Sequence, residues 1–129
     1  MVATDTARAT ALTAAQAAAD KLARDIVLLD VSDEMVITDI FMVASAPNER
    51  QVQAVVDEVE EQLRKVHDLK PVRREGVRGS RWVLLDYADV VVHVQHTEER
   101  DYYALDSLWK DCPPIEFVDR AERATGDAA

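Results

Sequence analysis

The sequence is poor in the residues that mark several protein classes. It has one cysteine, Cys112, in 129 residues, which excludes an internal disulfide and favours a reducing compartment. With only 3 glycines and 4 prolines, it is not a low-complexity chain. Its apolar runs are far shorter than the roughly 20 residues that span a bilayer, and no secretory signal pattern is visible. We therefore expect a cytoplasmic protein with no membrane segment.

Positive charge is also scarce. Lysine and arginine number 15 against 25 aspartates and glutamates, which gives a net charge of −10. Such a charge balance repels phosphate, and general nucleic-acid binding needs clustered cations. The chain is a poor candidate for binding DNA, and a basic protein surface is its more natural partner.

The pattern of apolar residues predicts an α/β fold. Helical periodicity covers residues 10–24, 48–67 and 97–111, whereas short apolar runs predict strands at 25–30, 38–45, 81–86 and 89–95. A short edge strand is expected within 70–81 and another at 115–118. Residues 1–9 and 119–129 are predicted to be disordered, so 10–118 would form a single domain. Its architecture would be a mixed sheet of about five strands packed with three helices.

The three helices have different signals. The first is rich in alanine, with Leu12 and Leu22 at the ends of its predicted apolar stripe and Thr10 or Thr13 as its cap. Asn48 is expected to cap the second helix. Thr97 is expected to cap the third, whose predicted apolar stripe contains Tyr102, Leu105, Leu108 and Trp109.

The predicted hairpin of residues 81–95 separates its side chains onto two faces. Alternation places Trp82, Leu84 and Asp86 on one face and Val83, Leu85 and Tyr87 on the other. Because three helices, one with a weak alanine stripe, cover a sheet incompletely, we expect one face to be partly bare. That face would be an interface with Trp82 at its centre and an acidic rim of Asp86 and Asp89. The alternative is that Trp82 is an ordinary core residue.

No motif in the sequence predicts catalysis. There is no phosphate-binding loop and no cysteine pair for zinc. His93 and His96 are expected to point to opposite faces, and Cys112 would need a base supplied by the fold. Asp86 and Asp89 could hold magnesium or act as an acid–base pair, but acids beside a turn usually serve the turn itself. We therefore predict no enzymatic activity, no cofactor and no metal.

Several segments, in order along the chain, carry a family resemblance. They are residues 38–39 (TD), 44–52 (ASAPNERQV), 75–76 (EG), 82–94 (WVLLDYADVVVHV) and 100–109 (RDYYALDSLW). Together they resemble the ribosomal silencing factor family (RsfS, also called Iojap) from about residue 25 to 109. Two turns depart from the family pattern, since Ala88 stands where the family usually has glycine, and Ala46-Pro47 replaces a sequence with a small residue and glycine.

The resemblance implies a fold distantly similar to nucleotidyltransferases and a factor that is usually a homodimer. It also implies binding to ribosomal protein L-fourteen on the large ribosomal subunit, which blocks joining of the small subunit and represses translation during starvation or stationary phase. Trp82, Leu84, Asp86, Tyr87 and Asp89 are the expected contacts with L-fourteen. His93 and Tyr103 are the expected dimer contacts.

Other readings of the sequence stay open beside this one. The basic stretch 70–81 is either a solvated loop or a minor contact with rRNA. The chain as a whole could be a dimeric adaptor without a ribosomal role, or a minimal nucleotidyltransferase suggested by the distant fold similarity. For the enzyme reading, Gly79-Ser80 is present, but the usual Asp-x-Asp pair does not follow it.

Overall fold

A computed structural model of the chain describes residues 2–77 and 80–121. The helices are α1 (Asp5–Asp20), α2 (Glu49–His67), α3 (Thr97–Tyr103) and α4 (Leu105–Leu108), and the strands are β1 (Arg24–Asp30), β2 (Ile40–Ala46), β3 (Arg73–Glu75), β4 (Trp82–Asp86) and β5 (Val90–His96). In this described part of the chain, no helix is long and apolar enough to cross a membrane.

The strands form one mixed sheet, as the sequence predicted. Their order is β1-β2-β5-β4-β3. The β1–β2, β4–β5 and β3–β4 pairs are antiparallel, and the central β2–β5 pair is parallel, with Ile40 opposite Val90 and Ala46 opposite His96. Two antiparallel units therefore meet along one parallel seam.

Helices α1 and α2 cover one face of this sheet. The largest buried side chains on that face include Leu28, Ile40, Met42 and Leu85. Helix α2 buries the residues of its apolar period, Val52, Val55, Val56, Val59 and Leu63, but the last residue of that period, Val66, is exposed. Its predicted cap is also confirmed, because Asn48 Oδ1 accepts a hydrogen bond of 2.8 Å from the Gln51 N–H.

Helix α1 differs from the prediction at both ends. It begins at Asp5, with Thr4 Oγ1 accepting from the Ala7 N–H, and it ends at Asp20. Residues 5–9 are therefore helical rather than disordered, and the Ala3 N–H donates to the buried carboxylate of Asp30. Neither Thr10 nor Thr13 is the cap.

The buried face of α1 consists mainly of alanine, as predicted, but the two leucines at the ends of the predicted stripe are not part of it. The buried residues are Ala7, Thr10, Ala11, Ala14, Ala15, Ala17 and Ala18. Leu12 and Leu22 are exposed, and Leu22 lies beyond the helix at φ 63°. Methyl side chains let α1 pack closely against α2 and the sheet, and this close packing leaves no room for leucine.

The predicted third helix is broken in two. Ala104 takes a left-handed conformation at φ 48° and separates α3 from α4. The N-cap is His96, whose Nδ1 accepts from the Glu98 N–H, instead of Thr97. Tyr102 and Leu108, which were predicted in the apolar stripe, are exposed, whereas Leu105 and Trp109 of that stripe are partly exposed.

The segment after α4 does not form the predicted strand at 115–118. The Ile115 N–H donates to the Leu28 carbonyl, and Pro114 makes an isolated bridge to Leu29 at the edge of β1. Pro113 and Pro114, which lie just before this segment, have no N–H to donate to β1. Within the predicted disordered tail 119–129, Asp119 and Arg120 bind Gln16 of α1. Residues 122–129 lie outside the described part of the chain.

Candidate protein interface

The second face of the sheet, called here the open face, carries Trp82, Leu84 and Asp86 of β4. The alternation predicted for this strand is confirmed, since these three side chains are partly exposed whereas Val83 and Leu85 are fully buried. Neighbouring strands β2 and β5 add Phe41 and His93 to the same face. No long helix of the described chain covers it, because α1 and α2 both pack on the other side.

A row of ring side chains crosses the open face. It runs from Trp109 to Phe41, His93, Trp82 and Tyr103, with ring centroids separated in turn by 5.2, 5.9, 6.0 and 4.9 Å. Phe41 meets both of its neighbours edge to face, a favourable geometry for ring pairs. We call these five residues the aromatic row. It joins β2, β5 and β4 to the segment that contains α3 and α4.

Trp82 is held in one orientation by a hydrogen bond as well as by ring packing. Its Nε1–H donates to His93 Nδ1 at 3.2 Å. Burial lowers the pKa of His93 to about 4, so the imidazole is neutral near pH 7. Since Nδ1 accepts in this arrangement, the ring proton lies on Nε2. The partly exposed indole is therefore a rigid apolar anchor with a satisfied polar group.

The two acids of the predicted rim lie at the β4–β5 turn. Asp86 Oδ1 accepts from the Ala88 N–H at 2.8 Å, and Asp86 Oδ2 is 3.9 Å from Arg73 Nε. Ala88 stands at φ 73°, the left-handed region that favours the glycine usual in the family. Asp89 is partly exposed, and its main-chain carbonyl accepts from the Asp39 N–H. Asp86 thus serves its turn, as expected of an acid at this position.

Tyr87 does not belong to the open face, although it was predicted as a contact with the partner. It is only 4% exposed and packs in the core beneath α1 and α2. Burial raises the pKa of its phenol, and its hydroxyl has no hydrogen-bond partner within the described residues. The same alternation that points Trp82 outward points Tyr87 inward, so the sequence already held this signal.

His93 and His96 lie in different surroundings. His93 is 8% exposed within the aromatic row, whereas His96 caps α3. Within residues 2–77 and 80–121, no three histidine, cysteine, aspartate or glutamate residues are grouped so that they could hold a metal ion. His93 is also too buried for a direct dimer contact, whereas Tyr103, 48% exposed, remains accessible.

Arg81 and Arg100 hold the segment of α3 and α4 over the open face. Neither arginine was among the predicted site residues. Arg81 binds Glu98 and Glu99 of α3 and also Glu49 of α2, at N–O distances of 3.3, 3.0 and 2.9 Å. Arg100 is buried and donates to the Asp25 carbonyl. Its acceptor is a backbone oxygen remote in the sequence, so only the fold reveals this contact.

The described arginines of the basic stretch 70–81 are all paired. Arg74 Nη1 is 2.6 Å from Glu60 Oε1, Arg73 lies beside Glu75 and Asp86, and Arg81 has its three glutamates. Nearby carboxylates thus offset their charge, which weakens the case for a phosphate contact. Arg78 and Gly79 lie outside the described residues.

An apolar centre with a polar rim is common in protein–protein interfaces, so the open face is a candidate protein-binding surface. Comparison with known proteins agrees with the predicted family. A family model described as "Ribosomal silencing factor during starvation" matches residues 4–129. The ribosomal silencing factor of Bacillus subtilis is 41% identical over 100 residues, which cover 78% of this chain and 84% of that protein. The chain therefore belongs to the ribosomal silencing factor family.

Two further relatives extend this result. The crystal structure of a protein from Chromobacterium violaceum aligns with a TM-score of 0.76 and 33% identity, covering 89% of this chain and 95% of that one. A mouse protein named for mitochondrial assembly of the ribosomal large subunit is 32% identical over 89 residues, 67% of this chain and 39% of that protein. The names of the Bacillus subtilis and mouse relatives refer to ribosomal silencing and to assembly of the ribosomal large subunit.

Proposed function

We propose that this chain binds the large ribosomal subunit through ribosomal protein L-fourteen and sterically blocks joining of the small subunit. Translation would thereby be repressed in starvation or stationary phase, in the cytoplasm. Membership of the silencing factor family supports the ribosomal target. The name of the mouse relative, which refers to the ribosomal large subunit, supports the choice of subunit.

The observation that carries the proposal is the fixed, partly exposed Trp82 beside Leu84 on the open face. An interface anchor gains most when its orientation is already set before binding, because less side-chain freedom is then lost. The hydrogen bond to His93 and the packing on Tyr103 supply this order for Trp82. Aromatic anchors surrounded by weaker contacts carry most of the energy of many protein interfaces.

The charge of the rim indicates the kind of surface that the open face would meet. Asp86 and Asp89 are partly exposed, and the whole chain carries a net charge of −10. Complementary charge speeds association and selects the partner more than it adds affinity. A basic ribosomal protein suits this rim, whereas rRNA phosphate would be repelled. The proposed contacts with L-fourteen are Trp82, Leu84, Asp86 and Asp89.

A homodimer is the proposed state of the free protein. Symmetric dimers are the commonest protein assemblies, and Tyr103 offers an accessible ring next to Trp82. A dimer that used this region would compete with the ribosome for the open face. Sedimentation equilibrium of wild-type protein and of Tyr103→Ala would test this arrangement. The variant dimer is expected to dissociate at a higher protein concentration than the wild-type dimer.

Sedimentation of ribosomal subunits tests the main proposal. Purified large and small subunits are mixed at a magnesium concentration that permits joining, with and without the protein, and separated on a sucrose gradient. The protein should migrate with the large subunit and reduce the fraction of joined ribosomes. Trp82→Ala should weaken binding about 30-fold, the effect of losing roughly 2 kcal/mol at a hot spot. Val66→Ser, an exposed change on α2, is the matched control.

The outcomes separate the function from the site. If wild type binds the large subunit and both Trp82→Ala and Asp86→Ala bind it equally well, the assigned site is wrong. The proposed function is then still supported. Absence of wild-type protein from the large-subunit peak would refute the ribosomal proposal. The dimeric adaptor would then be the better reading of this chain.

A further inference from the structure

The loop between β1 and β2, residues 31–39, presents two neighbouring apolar side chains to solvent. Val36 is fully exposed and Ile37 is 74% exposed. Single exposed apolar residues are ordinary on protein surfaces, but a pair at the tip of one loop concentrates apolar area at one point. Neither side chain contributes to the core, so fold stability does not account for them.

The base of this loop is firmly held. The Val31 N–H donates to the Asp39 carbonyl at 2.8 Å, and the Asp39 N–H donates to the Asp89 carbonyl at 2.9 Å. Thr38 Oγ1 donates to the Ala88 carbonyl at 3.1 Å. These bonds fix the base of the loop to the β4–β5 turn, so little of the base has to be ordered on binding.

The loop continues the open face beyond its acidic rim. Met35, next to Val36, packs in the same apolar cluster as Phe41 and Trp109 of the aromatic row. On the other side of the tip, Asp39 is bonded to Asp89 of the rim through the main chain. The loop thus adjoins the open face at two points, at the Phe41 end of the aromatic row and at the acidic rim.

Acidic residues flank the tip in the sequence. Asp33 and Glu34 precede it and Asp39 follows it, which repeats the combination of apolar centre and acidic edge found around Trp82. We infer that Val36 and Ile37 form a second anchor, which inserts into an apolar recess of a basic protein surface on the large ribosomal subunit. This inference rests on the proposed function and adds a contact outside the residues predicted for the site.

A double substitution tests the second anchor. Val36→Ser/Ile37→Ser removes both apolar side chains at a site where the core is untouched, so the thermal unfolding midpoint should match that of wild type. The matched control is Leu22→Ser/Val66→Ser, two exposed apolar residues outside the open face. Binding to purified large bacterial ribosomal subunits is measured by pelleting through a sucrose cushion over a range of protein concentrations. Sedimentation equilibrium of each free variant records its oligomeric state.

We expect the loop variant to bind about tenfold more weakly or worse, with the control double variant close to wild type. If the loop variant binds like wild type while Trp82→Ala does not, the second anchor is refuted and the proposed function stands. If wild type itself does not bind the subunit, both fail. If the loop variant alters only the oligomeric state of the free protein, the tip contacts a second copy of the chain and the inference is overturned.

Discussion

The buried His93 makes the stability of this protein depend on pH in a predictable direction. Its pKa falls from an ordinary 6.5 to about 4 in the folded state because burial disfavours the charged ring. The unfolded chain therefore binds more protons than the folded chain between these two pH values. By linkage, the stabilising effect of a neutral His93 is complete above about pH 6.5 and is lost as the pH falls towards 4.

The size of this effect follows from the two pKa values. Each pH unit of separation is worth about 1.4 kcal/mol, so the full loss is about 3 kcal/mol. Between pH 7.5 and pH 5, about 2 kcal/mol of the free energy of unfolding should disappear through His93. Below its folded pKa the ring would carry protons on both nitrogens, and Nδ1 could no longer accept from Trp82.

Urea unfolding of wild type and of His93→Gln, at several pH values from 7.5 to 4, measures this loss. Glutamine cannot titrate, so the difference between the two curves isolates His93, while the carboxylates that titrate in both proteins cancel. The difference should shrink by about 2 kcal/mol between pH 7.5 and pH 5. Parallel curves over this interval would refute the assignment of a buried, neutral imidazole beneath Trp82.

Three further predictions concern single residues away from the open face or at its edge. Asn48→Ala should lower the free energy of unfolding by about 1 kcal/mol in urea, because the Gln51 N–H loses its cap. Gly76→Ala should cost about 2 kcal/mol or more in the same assay, since Gly76 lies at φ 97° and a Cβ would stand 2.6 Å from the Trp82 carbonyl oxygen. Burial, with nearby carboxylates, raises the pKa of the Cys112 thiol. A thiol reagent at pH 8 should therefore label native protein much more slowly than protein in urea, and equal rates would contradict this.

The parts of the fold that the sequence predicted are those with contrast between neighbouring positions. Helix α2 alternates valine with charged residues at the helical period, and β4 alternates buried with partly exposed side chains at the strand period. The buried face of each element could therefore be predicted from the sequence. Helix α1 lacks this contrast because alanine stands on nearly every side of it, and the two leucines assigned to its buried face are exposed. Alanine content alone does not define a buried stripe.

The site was predicted as far as its strand alternation and no further. Trp82, Leu84 and Asp86 follow from period two, whereas the support for Trp82 depends on the β4–β5 register and on a helix break at Ala104. Ala104 is not glycine, proline or asparagine, so no local sequence signal predicted the left-handed conformation that ends α3. The role of Arg100 depends on carbonyl oxygens brought near only by the complete sheet.

The parallel seam has a consequence for the order in which the aromatic row is assembled. The β1–β2 and β4–β5 hairpins are local and can form early, but pairing β2 with β5 must close a long intervening segment that includes α2. The aromatic row crosses this seam, since Phe41 belongs to β2 while His93 and Trp82 belong to the other hairpin. A chain in which both hairpins have formed but have not yet paired lacks the contact between Phe41 and His93. The proposed contacts on β4 can therefore form together with their hairpin, whereas the row that links them to β2 is complete only after β2 has paired with β5.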